Sequence, residues 1–214
     1  MSKLPFAFVL VLLVASPARA DLVFHQGFET CWSAAITRDD FLARLRNQVD
    51  GRTACLPPQS GSQSGIAYTI CNTPGGCGDG VAGCPLSVQS QAFTGDFIAG
   101  HFSAPGSTAN ISVPLTTSVF GNCTISISGV TLTTTLDYLM RLDGVDGVFA
   151  EDLQTPAVDI TGYSTGNDCN PVIGALIASY IPQALADAEA SAAAAIEPGL
   201  RADTVGQSVC PLTP

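Results

Sequence analysis

The sequence predicts an α+β fold in which a curved antiparallel β-sheet packs on a long, kinked C-terminal helix and disulfides stabilise the whole. Three observations lead to this prediction. From residue 87 onward the chain shows short runs of alternating apolar and polar residues, the pattern of half-buried strands. Residues 170–197 carry apolar residues at steps of three and four, the pattern of an amphipathic helix. Eight cysteines are spread from residue 31 to residue 210.

The first twenty residues predict a secretory signal peptide. Lys3 gives a positive start, residues 6–14 form an apolar core, and Ala18-Arg19-Ala20 fits a small-x-small cleavage site. The apolar run is too short for a membrane span, and no later run of apolar residues is long enough for one. We therefore expect a signal peptide at 1–20, an N-terminal arm at 21–36 and one domain at 37–214.

The predicted location is periplasmic or extracellular. Phe24, Gly27, Phe28 and Glu29 resemble a short Phe-x-x-Gly-Phe-Glu segment that follows the signal in secreted proteins of Gram-negative bacteria. Export to an oxidising compartment also suits an even number of cysteines, which predicts a disulfide framework. The framework comprises Cys31, Cys55, Cys71, Cys77, Cys84, Cys123, Cys169 and Cys210, and their connectivity stays open at this point.

The charge of the mature chain disfavours nucleic acid as a partner. After removal of the signal the chain keeps six arginines and 18 acidic residues, hence a net charge near −12. Such a chain repels phosphate backbones and anionic lipid headgroups. Hydrophobic residues make up 46% of the chain and charged residues 12%, which is the composition of a folded domain.

The domain is predicted to begin with a short helix. Thr37 is a suitable N-cap, Asp39 and Asp40 suit the first turn, and Gly51 ends the helix. Its apolar side consists of Phe41, Leu42, Leu45 and Val49. Residues 51–86 are rich in Gly, Pro and Ser and hold four cysteines, so they are predicted to form a loop region.

The strongest strand signal lies in residues 122–143. The apolar positions change parity at Gly129: Cys123, Ile125 and Ile127 precede it, and Val130, Leu132, Leu136 and Tyr138 follow it. A β-bulge at this glycine returns both sets to one face and bends the strand. The opposite face carries Thr131, Thr133 and Thr135.

A hairpin and two further elements complete the domain. Asp143-Gly144 and Asp146-Gly147 are both strong hairpin-turn signals. A strand is predicted over residues 156–163. The C-terminal helix is predicted to start with Asn170 as cap and Pro171 in the first position, to kink at Pro182, and to end at Pro198-Gly199.

Gly162-Tyr163-Ser164-Thr165-Gly166 spells the G-x-S-x-G motif of a hydrolase nucleophile elbow. An elbow requires the helix directly after the serine, but five residues separate Ser164 from the predicted cap. No histidine follows the serine, and only His101 in the strand region could serve as base. The segment is therefore predicted to be a turn, with a serine hydrolase using Ser164 as the least favoured functional hypothesis.

The remaining polar groups predict neither a metal site nor a cofactor. No C-x-x-C pair is present, and neither His25 nor His101 accompanies a cysteine cluster. The acidic residues of 143–152 lack the spacing of an EF-hand. No catalytic residue is predicted, and the protein is expected not to be an enzyme.

The order of elements resembles the tubular lipid-binding proteins related to the bactericidal permeability-increasing protein. The resemblance spans residues 122–197, in "NCTISISGVTLTTTLDYLM" and "VDITGYSTGNDCNPVIGALIASYIPQAL". It implies carriage of a lipid or other apolar molecule in an elongated groove, and a disulfide between Cys123 and Cys169. The chain departs from that family in its acidity and in its cysteine-rich loop.

Under this resemblance one side of the helix lines the ligand groove. The predicted ligand-binding residues are Ile173, Leu176, Ile177, Tyr180 and Ile181. The same stripe is also expected of a helix that only closes a core, since each buried Leu or Ile stabilises a fold by about 1.5–3 kcal/mol. A further hypothesis is a cell-envelope or surface interaction protein without a small ligand, whose protein partner the sequence does not identify.

Overall fold

The computed structural model describes residues 36–143 and 147–210, so the predicted signal peptide and most of the predicted arm lie outside the described residues. The described chain is α+β, as predicted. It contains a 12-stranded sheet and two α-helices, α1 (Arg38–Val49) and α2 (Gly174–Thr204). Within the described segments no helix has both the length and the apolarity that crossing a bilayer requires.

The strands follow one another along the chain as β1 (Ile36–Thr37), β2 (Thr53–Leu56), β3 (Gln59–Gln63), β4 (Ile66–Ile70), β5 (Cys84–Ser90), β6 (Thr94–Asp96), β7 (His101–Thr108), β8 (Ile111–Thr117), β9 (Gly121–Asp143), β10 (Gly147–Leu153), β11 (Ala157–Asn167) and β12 (Ser208–Cys210). The sheet is mixed and not purely antiparallel, because β1 pairs with β12 in parallel. The other paired strands are antiparallel.

Strand β9, with 23 residues, is the central strand, with which four other described strands pair. On one side it pairs with β8 along its first part and with β7 further on. On the other side it pairs with β11 and then with β10. The predicted hairpin is confirmed, since Gly147 pairs with Asp143; the turn itself lies outside the described residues.

The predicted bulge at Gly129 is confirmed. Gly129 has φ +61°, and between Ser128 and Thr131 strand β9 contains one residue more than its partner β11. The apolar residues on both sides of the glycine are buried: Ile125, Ile127, Val130, Leu132, Leu136 and Tyr138. The extra residue therefore keeps the apolar side on one face, as the parity change indicates.

Helix α1 agrees with its prediction. The Thr37 side chain accepts a hydrogen bond from the Asp40 N–H at 3.0 Å, which is the expected N-cap. Phe41, Leu45 and Val49 are fully buried, and Phe41 packs against a cluster of rings formed by Phe97, Phe102 and Tyr138. Gly51, with φ +75°, follows the end of the helix.

Helix α2 begins later than predicted. Pro171–Ile173 form a 3₁₀ turn, closed by the bond from the Ile173 N–H to the Asn170 carbonyl at 2.8 Å. The α-helix then starts at Gly174, with Ile173 in the N-cap position and no side-chain cap. The prediction that Asn170 caps the α-helix directly is therefore wrong, because the tighter turn intervenes.

The predicted end of α2 at Pro198-Gly199 is also wrong. The helix continues through Pro182 and Pro198 to Thr204. Leu200 and Thr204 are fully buried. The stabilisation from this packing outweighs the cost of the helical hydrogen bond that Pro198 cannot form. The helix ends instead before Gly206, which has φ +83°.

Residues 51–86 are not the loop region that was predicted. Strands β2, β3 and β4 and the start of β5 lie there, and β4 extends the sheet by pairing with β8. Strand β3 reads "QSGSQ" and has no apolar alternation, so its pairing with β4 left no periodic signal in the sequence.

Three described disulfides staple the fold. Cys55–Cys77 and Cys71–Cys84 close the segment around β2–β5, and Cys123–Cys169 joins β9 to the entry of α2. Cys210 is also disulfide-bonded. The predicted disulfide framework is thus confirmed for these residues, while Cys31 lies outside the described residues.

Candidate functional site

The α2–sheet seam is the apolar layer between helix α2 and the strands beneath it. Its strand side is supplied by β2, by the residue after β4, and by β8 and β9, and its helix side by the first half of α2. The residues that line the seam are Leu56, Cys71, Ile111, Val113, Ile125, Ile127, Tyr180, Ile181, Ala184, Leu185 and Ala188. Tyr180 is the only hydroxyl-bearing residue in this set, and none of the set is charged.

The seam is nearly filled by its own side chains. The internal space is about 10 Å³, enough for about one water molecule. Pockets that bind small ligands have volumes of about 300–1,000 Å³. The elongated groove implied by the family resemblance is therefore not open between these residues.

Two of the predicted ligand-binding residues line the seam, namely Tyr180 and Ile181. Ile173 and Ile177 are buried in the core, with exposures of 3% and 5%, but they do not border the small space. The side chain of Leu176 lies outside the described residues, although its backbone belongs to α2. Their role toward a ligand stays a prediction.

Most of the seam's strand side was not predicted. Ile125 and Ile127 were recognised as inward-facing strand residues, and the structure places them in the seam. Leu56 and Cys71 belong to the region predicted as loop, so no signal linked them to the helix. Ile111 and Val113 sit in a short alternating run whose partner strand cannot be read from one sequence.

Tyr180 lies half-buried at one end of the seam. Burial raises the pKa of its phenol to about 12, and the nearby Asp187 carboxylate and Tyr68 phenol raise that pKa further. Asp187 is itself held by Gln59 of β3, whose amide donates to its carboxylate at 2.7 Å. The phenol therefore stays protonated at neutral pH and can both donate and accept a hydrogen bond.

The entry of α2 is tied to β9 near this end. The Cys123–Cys169 bond has a Cα–Cα distance of 5.0 Å. The Thr124 N–H donates to the Asp168 carboxylate at 2.5 Å, and the Asp168 N–H donates to the Thr124 carbonyl at 3.2 Å. These bonds fix the start of the helix segment beside the first residues of β9.

The far half of α2 is held by polar side chains. Arg201 forms ion pairs with Asp152 of β10 at 2.6 Å and with Glu197 at 2.8 Å. Asp203 accepts hydrogen bonds from Arg44, through its carbonyl, and from Gln48, through its carboxylate, and both donors belong to α1. This end of the helix is therefore fastened to both α1 and the sheet.

The G-x-S-x-G segment forms part of strand β11 and is not a turn, so the turn prediction is wrong. Ser164 donates to the Ser128 carbonyl at 3.1 Å, and its hydroxyl lies 3.0 Å from that of Ser128. Pairing with β9 explains the extended conformation: Gly162 and Gly166 lie opposite Thr131 and Ser126.

Ser164 and His101 do not form a nucleophile–base pair. Along β9, Ser164 pairs with Ser128, whereas His101 pairs with Asp137, nine residues further on. At about 3.3 Å per residue the two side chains are separated by roughly 30 Å. The His101 Nδ1 lies 2.7 Å from the Asp137 carboxylate, and both side chains are more than half exposed. The hydrolase hypothesis therefore has no geometric support.

The one grouping of potential metal ligands among the described residues consists of Cys123, Asp168 and Cys169. The two sulfurs are bonded to each other, and metal binding requires thiolates. The Asp168 carboxylate already accepts the Thr124 N–H. These three residues therefore serve to hold the entry of α2 against β9, through the disulfide and the Asp168 hydrogen bond.

Comparisons with known proteins place the chain in no family. No family model matches the sequence, and no curated protein matches it. The chain is similar to the crystal structure of Epiphyas postvittana Takeout 1, with 13% identical residues and a TM-score of 0.30, over 84% of this chain and 87% of that chain. A TM-score of this size is too low to carry a functional argument.

Proposed function

We propose that this is an exported, non-enzymatic protein that binds a lipid or another apolar ligand in the α2–sheet seam. The observation that carries the proposal is the chemistry of the lining, in which ten residues offer apolar surface and Tyr180 offers one phenol. Ligand pockets commonly combine a mostly apolar wall with very few polar groups that orient the ligand. The Tyr180 hydroxyl would bond the polar end of such a ligand.

Ligand binding requires the seam to open, because the closed space of about 10 Å³ admits no lipid. The opening part would be residues 174–188 of α2. The distal half is fastened through Arg201 and Asp203, and the Cys123–Cys169 bond retains the entry. A segment held at both ends can bow outward without detaching.

Pro182 would serve as the hinge of this movement. A proline inside a helix removes the hydrogen bond to the carbonyl four residues earlier, here that of Ala178, and weakens the rod at that point. Pro182 lies within the mobile part proposed here, between Ile181 and Ala184 of the seam lining. We propose that the predicted kink at Pro182 develops as the ligand enters.

The shape of the sheet would set the length of the opened groove. The bulge at Gly129 lies in the middle of β9, and a bulge bends its strand and increases its twist. We propose that this bend curves the sheet around α2, so that an elongated ligand lies along β8 and β9. The disulfides suit an oxidising compartment outside the cytoplasm.

Native mass spectrometry of the exported protein, before and after extraction with organic solvent, tests the proposal. We expect a population heavier than the bare chain by the mass of an apolar compound, and we expect solvent to remove it. Refolded or extracted protein should then bind N-phenyl-1-naphthylamine, a neutral apolar dye, with a fluorescence increase. Bare chain in every preparation together with no dye binding would refute the proposal.

The surface interaction protein remains the second candidate. The cysteine-stapled segment between β4 and β5 exposes Val81, whose side chain is 55% exposed. Single exposed apolar residues are also common on the surfaces of proteins that have no partner there. A Val81→Ser variant that loses capture of a specific envelope protein, in a chain that binds no apolar dye, would favour this alternative.

A further inference from the structure

The turn between β8 and β9 presents two apolar side chains to solvent. Val119 is 65% exposed and Phe120 is 37% exposed, and we call these two residues the apolar tip. From residue 109 to residue 130 the chain carries no charged side chain. The tip is thus an exposed, uncharged turn with one aliphatic and one aromatic side chain, on an otherwise acidic protein.

The backbone of this turn is hydrogen-bonded internally. The Phe120 N–H donates to the Thr117 hydroxyl at 3.0 Å, and that hydroxyl donates to the Gly121 carbonyl at 3.1 Å. The Ser118 N–H donates to the Ala67 carbonyl at 2.9 Å, and the Ala67 N–H donates to the Ser118 hydroxyl at 3.2 Å. Because these polar groups already have hydrogen-bond partners, transferring the turn out of water costs less free energy than transferring a loop whose backbone groups are bonded only to water.

The apolar tip lies at the same end of the molecule as the entry of the seam. Gly121 pairs with Thr117, and two residues later Cys123 is bonded to Cys169 at the start of the helical segment. Tyr68 pairs with Thr117, so its strand also reaches this end. A surface that receives the tip would therefore lie near the Cys169 end of the helical segment.

We propose that the apolar tip docks on the surface of a neutral lipid bilayer. A protein partner is disfavoured by area, since two side chains supply only a small part of the roughly 800 Å² that each partner buries in a stable interface. A bilayer interface requires no complementary shape, and the strength of binding to it scales with the apolar area that is buried, so a small patch can bind it weakly and reversibly. The choice of neutral lipid follows from charge, because the mature chain has no lysine and 18 acidic residues.

Docking at this end would place the lipids beside the residues through which the ligand enters. This consequence rests on the proposed function, whereas the docking itself depends only on the tip. The binding is expected to be weak and reversible, since two partly exposed side chains bury little apolar surface. Its strength should change little with salt, because no ion pair contributes to it.

Flotation of the mature protein with vesicles tests the docking. We expect binding to phosphatidylcholine vesicles that persists at 0.5 M salt (about three times the physiological ionic strength), and weaker binding to vesicles that contain phosphatidylglycerol. A Val119→Ser, Phe120→Ser double variant should lose at least about tenfold in vesicle partitioning. The matched control is Ile98→Ser, which removes a side chain that is 74% exposed next to β6 and far along the sheet from the tip.

A second readout is spectroscopic. In a Trp32→Phe background, which removes the only tryptophan of the chain, Phe120→Trp should show a blue shift on addition of phosphatidylcholine vesicles, and Ile98→Trp should not. No binding of the parent protein to any vesicle, equal losses in the tip and Ile98 variants, or an unshifted Phe120→Trp spectrum would overturn the proposal.

Dye binding in solution separates this proposal from the function proposed above. The tip variants should keep the affinity of the parent protein for N-phenyl-1-naphthylamine, because neither residue lines the seam. Vesicle binding without any dye binding would support the docking and refute the ligand site. Dye binding with intact vesicle binding by the tip variants would support the ligand site and refute the docking.

Discussion

The hydroxyl groups of Tyr138 and Thr204 lie 2.8 Å apart in the interior, where strand β9 meets the last turn of helix α2. The Thr204 hydroxyl also donates to the Leu200 carbonyl at 2.5 Å, so its oxygen accepts the hydrogen bond that the phenol donates. Both residues are almost completely buried. This contact fastens the distal half of the helix to the central strand of the sheet.

Removal of this hydrogen bond should destabilise the fold. We expect Tyr138→Phe to lower the free energy of unfolding by about 1 kcal/mol, because Thr204 keeps its bond to the helix but loses its phenol partner. Urea denaturation measures the change. Since the distal half of α2 takes no part in the proposed opening, dye binding should not change; a loss of dye affinity would contradict the division of the helix into two parts.

Stability should fall at alkaline pH. Burial raises the pKa of Tyr138 to about 12, although the charge of Arg201 opposes the rise. A raised folded-state pKa means that the contribution of the neutral phenol is complete below pH 10 and is lost as the pH rises toward 12. Tyr180, with a pKa also raised to about 12, should act in the same direction.

Denaturation between pH 9 and pH 12 checks this expectation. The parent protein should lose stability through this range, and Tyr138→Phe should lose less of it, by up to about 2 kcal/mol for one buried tyrosine. An identical pH profile in the parent and the variant would show that Tyr138 does not contribute.

The Cys123–Cys169 bond should stabilise the fold substantially. It closes a segment with a sequence separation of 46, for which chain entropy predicts a contribution of about 4 kcal/mol. The double variant Cys123→Ser, Cys169→Ser should therefore unfold at a much lower urea concentration. An unchanged midpoint would contradict the role of this bond as the tether of α2.

A side chain at Gly129 should destabilise the bulge through the backbone conformation that this position requires. Its φ of +61° is left-handed, and an L-residue there costs roughly 1–2 kcal/mol. Gly129→Ala should lower the free energy of unfolding by this amount, whereas Ser126→Ala, on the exposed face of the same strand, should change it little. Equal effects of the two variants would show that the bulge imposes no strain.

A larger side chain inside the seam should block the ligand. Ala184 lines the seam and Ala186, two residues later, is exposed. Ala184→Leu should weaken N-phenyl-1-naphthylamine binding at least about tenfold and cost about 1–3 kcal/mol of stability by overpacking. Ala186→Leu serves as the matched control and should keep the parent affinity; equal affinity in both variants would place the dye elsewhere.

The sequence predicted correctly those elements whose determining residues all lie within one short segment of the chain. The parity change at Gly129 predicted the bulge because both apolar sets belong to one strand, and Thr37 predicted the start of α1 because its cap partner is three residues away. Neither signal depends on how distant parts of the chain fold.

Prediction failed where distant partners decide the conformation. Strand β3 has no apolar alternation and exists because β4 pairs with it. Ser164 lies in an extended strand because β9 offers Ser128 as its partner, although the two glycines around it are typical of a turn. Pro198 remains helical because Ile196 and Leu200 on either side of it are buried.

The sequence predicted part of the helix side of the candidate site and, on its strand side, only the inward direction of Ile125 and Ile127. Tyr180 and Ile181 follow from the helical spacing of apolar residues, but the same spacing is expected of a core that has no ligand. The seam is nearly filled because side chains from distant segments of the chain pack together there. This filling follows from the volumes of residues on β2, β8, β9 and α2 together, which no single pattern encodes.

Hydrogen–deuterium exchange along α2 tests most directly the claim that the seam opens for an apolar ligand. In extracted protein the amides of residues 174–188 should exchange faster than those of residues 190–204, and addition of N-phenyl-1-naphthylamine should change exchange in the first segment alone. Equal, slow exchange in both halves, unaffected by the dye, would mean that the seam is a permanently closed core.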